Sequence, residues 1–403
     1  RMTQWTHKYG FSLETLPERI AVTQGASQFT IGIPLEISSN ENRVAIVPHS
    51  VKPLVMQGHR VVVQAGAGLR SNYDDHEYSE AGAEIVMSKQ EVFKSDILLK
   101  VAPPTIDEIE LLHPDQCLIS PLQLPTLSES YVDRLLRHRV TAVAMEYLQA
   151  ADGSYPLVRT MSEIAGITAI QTAAELLCRS EFGRGVLLGG VSGVPPAKVV
   201  ILGAGVVGEF AIRTALALGA TVRVFDDNVY KLMRIQQIIG RRLYTSTINP
   251  VQLQYQLLSA DVVIGAVHSP TGRSTILVPE EMIMKMKEGS VIIDVSIDQG
   301  GIFETSEVTS MDNPTFIKHG VIHYCVPNIA SKVSRTASAA ISNIITPLLI
   351  KAGNYGGIEA LLHDHGGFRH GVYAYKGHLT NEYLSKRFGH KYTALDLILP
   401  SKL

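Results

Sequence analysis

At 403 residues, with 45% apolar and 18% charged side chains, the chain is long enough for two domains and apolar enough to bury a sizeable core in each. Its 36 Lys and Arg against 38 Asp and Glu leave a net charge of -2, with no basic run, which argues against a nucleic-acid-binding surface. The 3 cysteines, Cys117, Cys178 and Cys325, are too scattered for a disulfide framework or a CxxC metal site and fit reduced thiols in a cytoplasmic protein. No apolar run reaches the ~18 residues of a membrane span. The N-terminus lacks the apolar stretch of a signal peptide, and residues 1–29 read as an extension before the first core strand.

A strand opens the fold at Thr30–Pro34, and a short helix follows from Pro48 to Gln57, stopped by Gly58. The β-branched run His59–Gln64 is the next strand, then a helix near 76–82, a strand at Glu84–Met87, a helix over 89–94 and a strand at Asp96–Val101. Two more strands, Cys117–Ser120 and Thr141–Met145, continue an alternation that implies a parallel sheet with helices on its faces. A long helix is predicted from Met161 to Ser180, with Ser162 and Glu163 at its start. After a Gly/Pro-rich loop a second series begins, with strands at Val199–Leu202, Val222–Phe225, Asp261–Gly265, Ser290–Asp294 and Val321–Tyr324. A second long helix covers about Arg335 to Ala352, and the Gly/His-rich tail turns helical again from Asn381 to Phe388. Two long helices bracketing one α/β unit suggest an inserted domain; the alternative is two sequential domains split near Gly189.

The strand ending at Leu202 runs into Gly203-Ala-Gly205-Val206-Val207-Gly208 and then a helix. In that setting the first glycine permits the turn, the second lets backbone approach a pyrophosphate, and the third allows close helix–strand packing. The helix N-terminus offers its free N–H groups to the phosphates. Asp226, 23 positions after Gly203 at the next strand end, is placed to accept from a ribose diol and to repel a 2′-phosphate, which favours NAD over NADP; Asp227 is the neighbouring alternative. Arg43, in the loop after the first strand, could clamp a carboxylate. Asp298 follows a buried strand into a glycine loop at the sheet's carboxyl edge, where ligands bind, whereas Asp294 reads as a backbone brace. His323 and Asn328 leave another strand at the same edge. No metal site is read.

Asn40-Glu41-Asn42-Arg43 after Ile-Gly-Ile-Pro, Met161-Ser-Glu-Ile-Ala-Gly166, the Gly203 loop, Asp294-Val-Ser-Ile-Asp298-Gln-Gly-Gly and Lys318-His-Gly-Val-Ile-His-Tyr324 resemble, in this order, the superfamily of alanine dehydrogenase and the NAD-binding component of proton-translocating transhydrogenase. The resemblance runs from about Thr30 to the C-terminus. It implies two Rossmann-like, doubly wound parallel-sheet α/β domains, with an NAD-binding domain (161–335) inserted into a discontinuous substrate domain (30–160 and 336–403). It further implies NAD-dependent, reversible oxidative deamination of L-alanine to pyruvate and ammonia, in a homo-oligomer (dimer or hexamer). By the same resemblance Arg43 holds the substrate carboxylate and Asp298 lies near the reacting amine or water and the cofactor. Ser162, the loop residues Gly203, Gly205, Val206, Val207 and Gly208, Asp226 and Asn328 contact NAD.

Two positions depart from that pattern. Where the family has a second, substrate-contacting lysine, the strand end reads Lys100-Val-Ala102-Pro-Pro, and where it has an acid/base histidine the segment reads Leu122-Gln123-Leu124. Gln123 forms hydrogen bonds to a substrate but exchanges no proton near neutral pH. Lys100 shares a strand face with Ala102 and is taken as the candidate replacement, against the alternative of a structural lysine; His268 and His323 are weaker candidates to assist. Leu35 replaces another family lysine. The alternatives to a dehydrogenase are a transhydrogenase-like subunit passing hydride to a partner, and a catalytically divergent NAD-binding protein.

Overall fold

The structure, a computed structural model, describes residues 27–178, 182–270 and 272–399. Most of the 1–29 extension therefore lies outside the described residues. Eight strands form one sheet, in the order His378–Leu379, Val372–Tyr375, Thr141–Ala144, Cys117–Ser120, Ile97–Leu99, Thr30–Ile33, Arg60–Gln64 and Glu84–Val86. Both ends of the chain thus contribute to it. Thr30–Ile33 pairs in parallel with Arg60–Gln64 on one side and with Ile97–Leu99 on the other. Antiparallel pairing enters only where the tail strands join at Thr141–Ala144.

The second sheet has seven strands, in the order Thr315–Lys318, Val321–Tyr324, Val291–Asp294, Val262–Gly265, Lys198–Leu202, Thr221–Phe225 and Tyr244–Ser246. Thr315–Lys318 is its antiparallel edge. In both sheets the first strand sits mid-sheet and the chain winds outward first one way, then the other. This doubly wound order leaves a crevice at the carboxyl end of the first strand. Apolar clusters cover both faces of each sheet: Ile31, Ile33 and Val63 on one face of the first and Leu98, Leu118 and Ala142 on the other, with Val199 and Ile201 against Val200 and Leu202 in the second.

Helices Pro156–Cys178 and Ser334–Tyr355 carry the chain between the sheets. The first begins earlier than the Ser-Glu pair suggested. Pro156 supplies a preset φ at the first helical position and Ser162 falls in the second turn, so the Ser162 start is corrected. The segment Ile329–Tyr355 is long and apolar enough by length and composition to cross a membrane, which the run-length reading had passed over. Its apolar side chains Ile341, Ile345, Leu349 and Ala352 are buried in the core of the first lobe. Elements the periodicity missed are mostly at edges: helices Val229–Ile239 and Pro250–Leu258, and strands Tyr244–Ser246, Thr315–Lys318, Val372–Tyr375 and His378–Leu379.

Candidate active site

The glycine loop is built around one tight contact. Gly203 has φ 116°, a left-handed value that a side chain resists, and a Cβ there would stand 2.2 Å from the Ala266 carbonyl oxygen. A Cβ on Gly208 would stand 1.9 Å from the Gly203 oxygen, so the helix packs directly on the turn. Gly205 differs: a Cβ there would meet nothing within 4 Å. No protein atom requires this glycine, and the open space it leaves fronts the N-terminus of helix Val206–Ala217. That vacant cradle fits a pyrophosphate. Asp226 holds the loop by accepting from the Ala204 N–H at 2.8 Å and turns its other oxygen to the Asn228 N–H at 2.8 Å. Asp227 instead accepts from the Ile248 N–H at 3.1 Å, which leaves Asp226 as the residue beside the loop.

A cleft of about 300 Å³ lies between the carboxyl edges of the two sheets. Arg43, Gln123 and Glu146 line it from the first sheet; Val207, His268, Asp298 and Asn328 from the second; Met161 and Ser162 from the connecting helix. Arg43 is buried, and Glu41 grips it from two sides, at 2.8 Å on Nε and 2.7 Å on Nη2. Its Nη1 reaches only the Met161 sulfur, at 3.3 Å, a weak acceptor, so one donor edge remains for a ligand carboxylate. Burial acts to lower the Arg43 pKa, but Glu41, with help from Glu36 and Asp298, outweighs it and the pKa is raised; the side chain stays cationic.

Asn328 joins the lobes. Its Nδ2 donates to Glu41 Oε2 at 2.8 Å and to the Asn40 carbonyl at 3.3 Å, while its backbone N–H donates to Asp298 Oδ1 at 2.8 Å. Its φ of 61° is a left-handed conformation that asparagine tolerates better than most residues, and it aims both donors at once. Asp298 opens onto the cleft but is walled in by protein. Desolvation raises its pKa against the opposing Asn328 N–H and the Arg43 charge.

Two expectations, for Lys100 and His323, need correction. Lys100 does not line the cleft. It is 1% exposed, bonded to Glu36 Oε2 at 2.8 Å and 3.4 Å from Glu108 Oε2, so its charge is spent on two buried carboxylates. Glu36 also accepts from the Val101 N–H at 2.6 Å, and the cluster pins the two central strands together. His323 is fully buried, bonded to Thr305 and the Val321 carbonyl and stacked on Phe316; burial lowers its pKa, and it is a core residue. His268 does line the cleft, its pKa lowered by desolvation and by Lys231. Asp294 braces backbone: its Oδ2 accepts from Ser306 at 2.6 Å and from the Ile302 N–H at 3.1 Å. Ala102 faces a second cavity, of about 430 Å³, which shares Gln123 and Asn328 with the cleft.

Glu146 escaped the sequence reading. It follows the strand Thr141–Ala144, and that carboxyl-edge position beside Met145 was the available signal.

Fold and site together define a two-lobed dehydrogenase architecture: a dinucleotide-type loop on one sheet faces an arginine-bearing cleft on the other. The particular family follows from direct comparison. Residues 32–165 match "Alanine dehydrogenase/PNT, N-terminal domain" and residues 169–382 match "Alanine dehydrogenase/PNT, C-terminal domain", and the chain belongs to this family. It is 41% identical over 367 residues to "Alanine dehydrogenase 2" of Staphylococcus aureus (strain USA300), covering 91% of this chain and 98% of that protein. Alanine dehydrogenase of Staphylococcus epidermidis (strain ATCC 12228) is 40% identical over the same shares. Among solved structures, an L-alanine dehydrogenase superposes with a TM-score of 0.83 at 39% identity, covering 89% of this chain and 99% of that one. A transhydrogenase from Sinorhizobium meliloti gives 0.74 at 26% identity, covering 88% and 99%.

Proposed function

We propose that the chain is an NAD-dependent amino-acid dehydrogenase that reversibly converts L-alanine to pyruvate and ammonia. The observation that carries this is the chain of contacts Arg43–Glu41–Asn328–Asp298, which sets a carboxylate anchor and an acidic group in one cleft beside the Gly203 loop. The proposed division has residues 30–160 and 336–403 hold substrate and 161–335 hold NAD, through Ser162, Gly203, Gly205, Val206, Val207, Gly208, Asp226 and Asn328. NAD, when bound, supplies a hydride acceptor. Arg43 then fixes the substrate carboxylate through Nη1, Gln123 donates to its oxygen, and Asp298 takes the proton of the attacking water. The described cysteines are all unpaired, which supports a reducing, cytoplasmic setting, and we propose a homo-oligomer.

The test supplies purified protein with L-alanine and NAD, and in reverse with pyruvate, ammonia and NADH, while nicotinamide absorbance is followed. No turnover in either direction with intact NADH binding would refute the reading. Ala102 and Gln123 favour a second one, a family member that binds NAD without turning over alanine. Ala102→Lys combined with Gln123→His tests it: inactivity in the parent and a large gain in the double variant would establish an intact scaffold that has lost its chemistry.

A further inference from the structure

The cleft lacks the histidine that the family resemblance leads one to expect, yet any amine–imine–ketone interconversion must move protons on and off nitrogen. Gln123 holds the histidine's position and cannot do this. The described acid/base groups lining the cleft are Asp298, His268 and Glu146. Glu146 stands on the first lobe, on the same side as Gln123, and its contacts are one-sided. Oε1 accepts from the Leu122 N–H at 2.7 Å, in the very loop that carries Gln123. Oε2 is buried and has no hydrogen-bond partner. An unpaired buried acceptor is costly; among the described carboxyl groups Glu146 and Asp294 each carry one, and of these two only Glu146 lines the cleft. With its carboxyl pushed up to about 7, Glu146 exchanges near neutrality between an acid that avoids burying a charge and the carboxylate that accepts the substrate's proton.

We propose that Glu146 is the proton-exchanging group for the substrate nitrogen, in place of the absent histidine. This rests on the alanine dehydrogenase reading above. Ionised Glu146 takes one proton from the substrate ammonium. The α-C–H bond then breaks with its electron pair leaving as hydride to the dinucleotide, and the nitrogen lone pair forms the C=N bond. Water adds to that carbon as the C=N pair returns to nitrogen, and Asp298 takes the water's proton. Glu146 gives its proton back to nitrogen, the C–N bond breaks with its pair on ammonia, the hydroxyl oxygen forms C=O, and its proton passes to solvent. Glu146 is thereby reset, Asp298 passes its proton to the leaving ammonia, and the sum is pyruvate, ammonium, the reduced dinucleotide and one proton released to solvent.

The surroundings suit the role. Burial pushes the Glu146 carboxyl up to about 7, while its own backbone N–H and those of Leu122 and Gln123 pull the other way. The titratable groups that face it are the phenols of Tyr131 on helix Glu129–Arg137, Tyr373 on strand Val372–Tyr375, and Tyr147 next to it in the chain. Arg43, Asp298 and His268 share the cleft. Proton exchange works best when the group's pKa lies near the working pH.

Glu146→Gln keeps an acceptor for the Leu122 N–H and removes only the proton. With the full chain, kcat/KM for alanine should fall by about 10²–10⁴ and lose its limb near neutrality, with NADH affinity unchanged. Glu146→Asp should keep the limb at a lower rate. Difference infrared spectra of the wild-type protein against Glu146→Gln, over about pH 5–9, should show one carboxyl C=O band lost near neutrality. Retention of kcat/KM within about threefold, an unchanged pH profile, or absence of that band would overturn the assignment. A wild type without alanine turnover but with the titrating band would overturn the alanine reading and leave Glu146 as the cleft's proton carrier for another amino acid.

Discussion

Two alanine substitutions three residues apart should separate the folding role of the glycine loop from its ligand role. At Gly208 a Cβ would lie 1.9 Å from the Gly203 oxygen and 2.9 Å from its carbonyl carbon. Comfortable carbon–heavy-atom contacts are about 3.5–4.0 Å. Relief needs the Gly203 peptide to move by more than ~1 Å, since any shorter shift leaves the pair well inside contact. That peptide has little room toward the neighbouring strand, because even a Cβ on Gly203 would stand 2.2 Å from the Ala266 carbonyl oxygen. No flexible side chain can yield. Gly208→Ala should therefore destabilise the protein by about 1–3 kcal/mol or more, the range for overpacking.

Gly205 has φ -78° and ψ -163°, open to any L residue, and empty space around its would-be Cβ. The gain of about 0.4–1 kcal/mol from stiffening the unfolded chain is offset by a loss of similar size because Ala is a poorer N-cap than Gly. Gly205→Ala should leave stability within about 0.5 kcal/mol of wild type. If the space is a pyrophosphate cradle, the added methyl holds the phosphate off the helix N-terminus, and NADH should bind at least ~10-fold more weakly, about 1.4 kcal/mol. Urea unfolding without ligand and calorimetric NADH titration measure the two effects separately. NADH binding by Gly205→Ala equal to wild type, or a Gly208→Ala protein of wild-type stability, would refute this reasoning.

Lys100→Met leaves Glu36 a buried carboxylate without its cation, while Glu108 keeps Lys89 at 3.1 Å, and should cost about 3–5 kcal/mol, with kcat per folded molecule little changed; a selective loss of kcat would put Lys100 back in the chemistry. Arg43→Lys loses the two-sided grip of Glu41 and should raise KM for alanine by about 10-fold or more with NADH affinity intact, measured by steady-state kinetics. Asp226→Ser should shrink the preference for NAD over NADP by about 10-fold in paired binding titrations. Burial pushes the Asp294 carboxyl up to about 6 from an ordinary 3.8. Folding thus favours its protonated form, so its contribution is full below about pH 4 and is lost as pH rises through about 6. The loss is about 3 kcal/mol. Asp294→Asn should flatten that slope in the variant-minus-wild-type difference of urea midpoints.

The regular interior of both sheets was legible because buried parallel strands are nearly unbroken β-branched runs, as in Val199-Val-Ile-Leu202 and Val291-Ile-Ile-Asp294. Edge strands such as Tyr244–Ser246 and Thr315–Lys318 were not, since they are short, half exposed and polar. The helix over 156–178 starts ahead of the Ser162-Glu163 pair because Pro156 sits at its first turn, where proline starts a helix. In the cleft, the loop glycines announce themselves by local context, whereas Arg43 alone reads as a surface arginine and is singled out by the family resemblance. Glu41 and Glu146 do not announce themselves. Their roles depend on partners far away in the chain, Asn328 for the first and the Leu122 loop for the second. Lys100 shows the converse: a residue two positions from an expected catalytic lysine is on the right strand face, yet Glu36 and Glu108 claim its charge.

The two sheets have the same doubly wound order, and each therefore has a crevice where its strand order reverses. The chain treats the two crevices oppositely. In the second sheet the crevice stays open at Gly205, with helix N–H groups behind it. In the first, the buried cluster of Glu36, Lys100 and Glu108 fills the gap between strands Thr30–Ile33 and Ile97–Leu99, and Glu36 takes up the Val101 N–H as well. The open cleft lies sideways of it, at the loops after the next two strands, where Gln123 and Glu146 stand. Arg43 reaches the same place only because Glu41 holds it there, and Glu41 is in turn held by Asn328 from the other lobe. The holder of Arg43 and the carboxylate of Asp298 are thus both bonded to one asparagine. Separating the lobes breaks the Asn328–Glu41 contact and draws Arg43 away from Asp298, so the proposed site needs the cleft closed and neither lobe alone assembles it.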